Sequence, residues 1–271
     1  MRTVACRLAG LFLIVVVAGP LAAQTPNLPE NAIVNAASFA AGVPTAPGSI
    51  VSIFGTNFAS QLQIASSVPL STSLGGVSVT FNGSAAAPLF FVSSAQVNAQ
   101  LPFGLTGSTA TVVVRNTAGQ SATRTIQIAP FSPAIFTTSG AGTGQGWVLF
   151  ALEPTVVAGT APPGSGLGSR AARAGDFLTI YCNGLGAVSP PVPDGQAAPL
   201  SEPFSRTTTT PVVTIGGVSA TVLFSGPVPG LVGLFQINVQ VLPGVPTGNA
   251  VPIRISMGGV TSTDQVTMGV Q

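Results

Sequence analysis

The sequence predicts an all-β chain folded as two tandem immunoglobulin-like β-sandwich domains. Three observations predict this. Short runs alternate apolar and polar residues with period two. Glycine and proline punctuate those runs. The second half of the chain repeats the first.

The alternation is clearest in Val77-Ser78-Val79-Thr80-Phe81. There Val77, Val79 and Phe81 fall on one face, and Ser78 and Thr80 on the other, as in a half-buried strand. Residues 50–54, 111–115 and 123–128 continue the series, and no segment carries a long helical period. The 33 glycines and 24 prolines fall between these runs. Their placement marks turns between short strands, the pattern of a sandwich or barrel.

The repeat has three parts. Pro47-Gly48-Ser49-Ile50-Val51-Ser52-Ile53-Phe54-Gly55-Thr56-Asn57-Phe58 is echoed by Ala174-Gly175-Asp176-Phe177-Leu178-Thr179-Ile180-Tyr181-Cys182-Asn183-Gly184-Leu185. Gly75-Gly76-Val77-Ser78-Val79-Thr80 is echoed by Gly216-Gly217-Val218-Ser219-Ala220-Thr221. Gln96-Val97-Asn98-Ala99-Gln100-Leu101 is echoed by Gln236-Ile237-Asn238-Val239-Gln240-Val241. A period of roughly 120 to 140 residues means domain duplication, because solenoid repeats are far shorter. The expected layout is a signal peptide over 1–23, an N-terminal extension over 24–30, and domains over 31–132 and 133–271.

The leader is read from Arg2 and Arg7, the apolar run 8–17, and the small-residue site Leu21-Ala22-Ala23. That order is the one export signals use, and the apolar run is too short to span a bilayer comfortably. The chain is therefore expected in the periplasm, at the cell surface or in the medium. Cys182 is the one cysteine left after leader removal, so no intrachain disulfide is expected. An outer-membrane barrel would also alternate, but it needs aromatic girdles, and aromatics make up 6% of the chain.

Composition excludes most chemistry. Histidine is absent, and all eight basic residues are arginine. Ser-His-Asp and Cys-His machinery, lysine Schiff bases and lysine phosphate loops are therefore unavailable. A single cysteine makes no zinc cluster, and no calcium-loop spacing occurs. No metal and no cofactor is expected. Beyond the leader, six arginines face six carboxylates, Glu30, Glu153, Asp176, Asp194, Glu202 and Asp264. With no basic stripe, nucleic acid is not an expected partner. With charged residues at 5%, the near-neutral surface favours self-association.

Four features remain as candidates. The first is a pair of carboxylates drawn from Asp176, Asp194 and Glu202, the pattern of a glycan-acting enzyme. Asp194 lies in Pro193-Asp194-Gly195, where a turn accounts for it. The second is the glycine cluster 140–146, whose spacing is wrong for a phosphate loop and reads as an ordinary loop. The third is Trp147 and Tyr181, the sole Trp and Tyr. Sugar platforms expose such rings, but packing in the core or between domains is the expectation. The fourth is the amide strands. Gln96, Asn98 and Gln100 share a face, as do Gln236, Asn238 and Gln240. These six form the candidate ligand or partner face, against the alternative of a solvated face or an interdomain amide ladder. Gly55, Asn57, Asn183 and Gly184 are expected at structural turns, because Gly and Asn tolerate left-handed backbone. Cys182, aligned with Gly55, is expected as a buried inert thiol.

The run from Pro47 to Phe58, with its Gly-Thr-Asn-Phe corner, resembles the opening of IPT/TIG domains, an immunoglobulin-like family. A broader set of motifs resembles the Solibacter-type C-terminal domain of exported acidobacterial proteins, over about residues 34 to 270. It comprises Val34-Asn35-Ala36-Ala37-Ser38-Phe39, Ala46-Pro47-Gly48-Ser49-Ile50-Val51, Pro88-Leu89-Phe90-Phe91-Val92, Gln96-Val97-Asn98, Pro133-Ala134-Ile135-Phe136, Gly144-Gln145-Gly146 and Gly233-Leu234-Phe235-Gln236-Ile237-Asn238. The resemblance implies export and a β-rich module, and brings no catalytic residues. The expected function is a non-catalytic exported binding or adhesion module at the cell envelope, with a protein or glycan ligand. The alternatives are a ligand-free spacer or self-assembling unit and, third, the carboxylate enzyme.

Overall fold

The computed structural model describes residues 24–263 and 265–271, so the leader lies outside the described residues. Those residues form an all-β chain, with no helix among them. The first half contributes β1 (Ile33–Asn35), β2 (Ile50–Phe54), β3 (Gln63–Ile64), β4 (Ser73–Leu74), β5 (Val77–Phe81), β6 (Ala85–Ala86), β7 (Leu89–Val92), β8 (Gln96–Gln100), β9 (Thr109–Asn116), β10 (Gly119–Gln120) and β11 (Arg124–Gln127). One sheet runs β1-β2-β8-β7-β3. The other runs β10-β9-β5-β4, with β11 on β9 and β6 on β5. Their facing sides hold Val51, Ile53, Val77, Val79, Phe81, Val97, Ala99, Val112 and Val114, all fully buried. Each large side chain so buried stabilises the fold by about 1.5–3 kcal/mol.

The second half contributes β12 (Ala134–Ile135), β13 (Gly144–Gln145), β14 (Val148–Phe150), β15 (Glu153–Ala158), β16 (Gly168–Arg170), β17 (Phe177–Asn183), β18 (Val188–Ser189), β19 (Arg206–Thr207), β20 (Val212–Ile215), β21 (Val218–Pro227), β22 (Phe235–Gln240), β23 (Gly248–Met257), β24 (Val260–Thr261) and β25 (Val266–Val270). The long β21 pairs with β20 along its first residues and with β22 from Thr221 onward. It thereby joins the two sheets of the second sandwich. Leu178, Ile180, Ile215, Ile237, Val239, Ile253 and Ile255 fill the space between them.

The two halves share a strand register. β2 pairs with β8 as β17 pairs with β22, so Ile53 opposite Val97 corresponds to Ile180 opposite Ile237. Gly48 and Gly175 are both left-handed, at φ 81° and 93°. Both donate their N–H at 2.8 Å to the residue just past the amide strand, Leu101 and Val241. The returning N–H groups of Leu101 and Val241 reach Ser49 and Asp176. Phe58 and Leu185 end the echo as fully buried anchors.

The Gly75 and Gly216 echo does not survive as drawn. In the first half the strand after the Gly-Gly turn, β5, lies inside its sheet and pairs with β9. In the second half it is the strand before the turn, β20, that pairs with β23. Pairing therefore matches Val79-Thr80-Phe81-Asn82-Gly83 with Val213-Thr214-Ile215-Gly216-Gly217. The short similarity had slipped by one strand.

The corner residues also divide. Asn57 and Gly184 are left-handed, at φ 62° and 79°, but Gly55 is not. A Cβ on Gly55 would overlap the Asn27 carbonyl and the Phe58 ring, so close approach is what requires glycine there. Leu28 is buried in the first core, and Asn27 bridges Thr56, so the segment before residue 31 packs onto the sandwich.

Phe58→Ala is expected to cost about 3–5 kcal/mol, read as a lower midpoint in chemical denaturation. Leu152→Ala, at a site 83% exposed, should leave that midpoint unchanged.

Candidate functional site

Strand alternation places the candidate side chains. In β2 and β8 the apolar residues point inward, leaving Ser52, Phe54, Gln96 and Asn98 on the outer face. In β17 and β22 the same rule leaves Thr179, Tyr181, Gln236 and Asn238 outside. The registers are equivalent. Phe54 lies opposite Gln96, and Ser52 opposite Asn98. Tyr181 lies opposite Gln236, and Thr179 opposite Asn238. Each half therefore carries one aromatic ring, one hydroxyl and two amides at matching positions, but Ser52 is 1% exposed whereas Thr179 is half-buried.

The rows differ in what surrounds them. In the first, Asn98 Oδ1 accepts from Gln96 Nε2 at 2.8 Å and from Ser52 Oγ at 3.1 Å. The Phe39 ring stands 6.4 Å from Phe54, tilted by 42°. In the second, Asn238 Oδ1 is buried without a hydrogen-bond partner. The edge beside β17 carries Trp147, whose carbonyl accepts the Tyr181 N–H at 3.0 Å. Trp147 and Tyr181 are thus half-buried neighbours on the outer face, not core residues. Burial pushes the Tyr181 hydroxyl above its ordinary range.

The third amide behaves differently in the two copies. Gln240 is half-buried and donates to the Gly175 carbonyl at 3.4 Å. Gln100 is 1% exposed, and its Oε1 accepts the Gly195 N–H at 2.7 Å. It lies in the junction between the domains and is not on an open face. The Leu70 N–H reaches the Gly195 carbonyl at 2.8 Å. Asp194, beside it, accepts the Phe103 N–H at 2.9 Å. The turn at residues 193–195 therefore grips the first domain, a role its local sequence did not announce.

Asn183 makes the second grip. Its amide nitrogen donates to Ile50 O at 2.7 Å and to Asn35 Oδ1 at 2.9 Å, and its oxygen accepts the Ile50 N–H at 3.1 Å. Asn35 in turn donates to the Ser132 carbonyl at 3.0 Å, and Ser132 Oγ donates to Pro44 O at 2.7 Å. A Cβ on Gly184 would overlap the Ser132 carbonyl. Asn183 is thus the last residue of β17 and not a left-handed turn residue, and it serves the junction, while Gly184 serves the turn and the junction.

Beside this junction lies a cleft of about 380 Å³, lined by Ile50, Val68, Leu70 and Phe90 of the first half and Phe136, Leu231, Val232 and Leu234 of the second. Ile50 continues the outer row of β2, and Phe136 lies next to Tyr181 through its N–H. The two outer faces meet at this cleft. Another junction cavity, of about 480 Å³, lies among Pro47, Phe103, Leu105, Ile128 and Phe131.

The carboxylates are otherwise engaged. Asp176 pairs with Arg170 at 2.9 Å and accepts the Arg173 N–H at 2.8 Å. Burial raises its pKa, but the bonds and charges of Arg170 and Arg173 outweigh that and hold it below the usual carboxylate range. Glu202 accepts the Phe204 N–H. Among the described residues no group of three or more His, Cys, Asp or Glu could hold a metal ion. Cys182 is free and fully buried, and burial pushes its thiol far above the ordinary range.

Comparison with known families agrees with the first sandwich. Residues 32–128 match an IPT/TIG domain. No curated protein matches the chain. Among solved structures, a Bacteroides ovatus mixed-linkage glucan utilization locus protein, SGBP-B in complex with a heptasaccharide, is 13% identical with a TM-score of 0.37, covering 92% of this chain and 46% of that one. The endo-fucoidan hydrolase MfFcnA4 of glycoside hydrolase family 107 is 12% identical with a TM-score of 0.16, covering 84% and 27%. The chain spans less than half the length of either. Among the described residues no helix is long and apolar enough to cross a membrane.

Two outcomes follow from these bonds. Asn183→Ala leaves the Ile50 N–H without its acceptor, while the Ile50 carbonyl keeps the Ala36 N–H and Asn35 keeps Ser132 and Ala37. It should cost about 1–3 kcal/mol in thermal or chemical unfolding. Asp176 has a depressed folded pKa, so its stabilisation is present above the unfolded value and lost as pH falls through the folded one. The stability gap between wild type and Asp176→Asn should therefore be present at neutral pH, at no more than about 1 kcal/mol for so exposed a pair. It should close below about pH 4, measured by denaturant titration across pH.

Proposed function

We propose that the chain is an exported, non-catalytic binding module of the cell envelope, formed by immunoglobulin-like units at 31–132 and 133–271. The observation that carries this reading is the pair of equivalent outer rows, Phe54-Ser52-Gln96-Asn98 and Tyr181-Thr179-Gln236-Asn238. Half-exposed rings beside amides, with the Thr179 hydroxyl in the second row, supply both apolar contact and orienting hydrogen bonds, the mixture ligand sites use. Ser52 is buried and positions Asn98 from below. The leader-like residues 1–23 and the broader resemblance to Solibacter-type exported modules support export. The absence of histidine and lysine, and the separate engagement of each acidic candidate, support a role without turnover.

A second reading is a rigid spacer or self-assembling unit. The buried junction favours it, because two domains held by side-chain amides keep a fixed separation. The two readings part on retention of an envelope component. The purified protein, immobilised, is exposed to envelope extract with and without protease treatment, in parallel with Tyr181→Ala and Trp147→Ala. The binding reading expects a defined component whose affinity falls at least about tenfold in either variant, with thermal midpoints within a few degrees of wild type. Equal retention by wild type and both variants removes the outer face as the site. Retention of nothing, with concentration-dependent oligomers, makes the chain a structural unit.

A further inference from the structure

The two rows have a property that neither has alone: they repeat. We propose that the ligand is itself a repeating molecule, an uncharged polysaccharide strand laid across both domains, with each row binding an equivalent stretch. This rests on the reading of the outer face as the binding surface.

Four observations point there. First, neither row contains a charged side chain. Phosphate, sulfate and carboxylate groups would find no cation within a row, whereas a neutral pyranose finds what it needs. Its C–H face packs on an aromatic ring, and its hydroxyls both donate to and accept from amides. Second, the rows place a ring and two amides at matching strand positions, so similar units can meet both, and a polymer supplies such a unit twice. Third, Ile50 on the outer side of β2 and Phe136 beside Tyr181 line one cleft, an apolar stretch that a polymer reaching from one row to the other would follow. Strand rise limits the distance. From Tyr181 to Asn183, across the amide to Ile50 and on to Phe54 is at most about 30 Å. Several linked sugars span that.

Fourth, the junction is built to hold that distance. Asn183 pairs both backbone groups of Ile50. The turn at residues 193–195 holds Gln100, Leu70 and Phe103 from a different segment. With the separation fixed, binding at one row presents the next stretch of polymer to the other at high effective concentration. A flexible tether would dilute that gain.

The test is isothermal titration calorimetry of the full protein with neutral β-linked gluco- and manno-oligosaccharides of three to eight units, with oligogalacturonates as the anionic control. The expected result is an affinity that rises at least tenfold from trimer to octamer for one of the neutral series. Phe54→Ala and the milder Gln96→Ala should each remove the gain and leave trimer affinity near that of the second row alone. Asp194→Ala, which touches neither row, should keep trimer affinity and lower octamer affinity. Trimer and octamer bound equally, with Tyr181→Ala abolishing both, would overturn the two-row proposal while leaving the binding module standing. Preference for the anionic series would overturn the neutral ligand. No binding by any sugar, with protease-sensitive retention of an envelope component, would replace the glycan with a protein partner.

Discussion

The arrangement of the molecule depends on one buried side-chain amide. Asn183 stands at the end of β17 and pairs the N–H and C=O of Ile50 at the start of β2, much as a neighbouring strand would. The Ile50 carbonyl also accepts the Ala36 N–H, but the Ile50 N–H has Asn183 as its acceptor and would be orphaned without it. The amide also meets Asn35, which ties Ser132 to the same point. Two sandwiches that each have their own core are thereby tied by hydrogen bonds beside the apolar contacts of the junction.

This has a consequence for the outer faces. Because β17 runs into β2 through a hydrogen-bonded side chain, the orientation of one sheet relative to the other is set by bond geometry. An apolar contact would tolerate sliding; charge-free amide bonds of 2.7–3.1 Å do not. The second domain departs from the first mainly in the segment before β17. There β14 to β16 extend the sheet beyond β17 and bring Trp147 beside Tyr181, while β13 pairs with β25. The Arg170 guanidinium lies 3.4 Å from the Phe150 ring centre and also pairs with Asp176 and Glu153, holding that extension against the strand it borders.

Much of this was legible in the sequence, for a definite reason. Residues 50–54 and 77–81 alternate because each has one buried face, and alternation is a local signal. The repeat of Gly48 with Gly175 was readable because only a left-handed residue serves that corner. The Gly-Gly echo misled because a hairpin turn looks the same whichever of its strands lies inside the sheet. Gly55 was assigned to left-handed backbone, but its constraint is the Asn27 carbonyl, a neighbour no local pattern reveals. Asp194 reads as a turn residue and is one, yet its carboxylate works across the junction. Contacts between domains leave no periodic trace, so the grips at Asn183 and Gly195 had no signal to find.

The fate of the third amide shows how duplication was used. Gln100 and Gln240 occupy matching positions at the ends of matching strands. Gln240 stays at the surface. Gln100 lies under the Gly195 turn, where its oxygen is the acceptor for an otherwise unpaired buried N–H. A hydrophobic residue there would have left that N–H orphaned, and a charged one would have been buried without a counter-ion. Glutamine is one of the few types that serves both an open face and a sealed junction. One strand could therefore carry the outer row at its start, where Gln96 bonds Asn98, and the contact with the second half at its end.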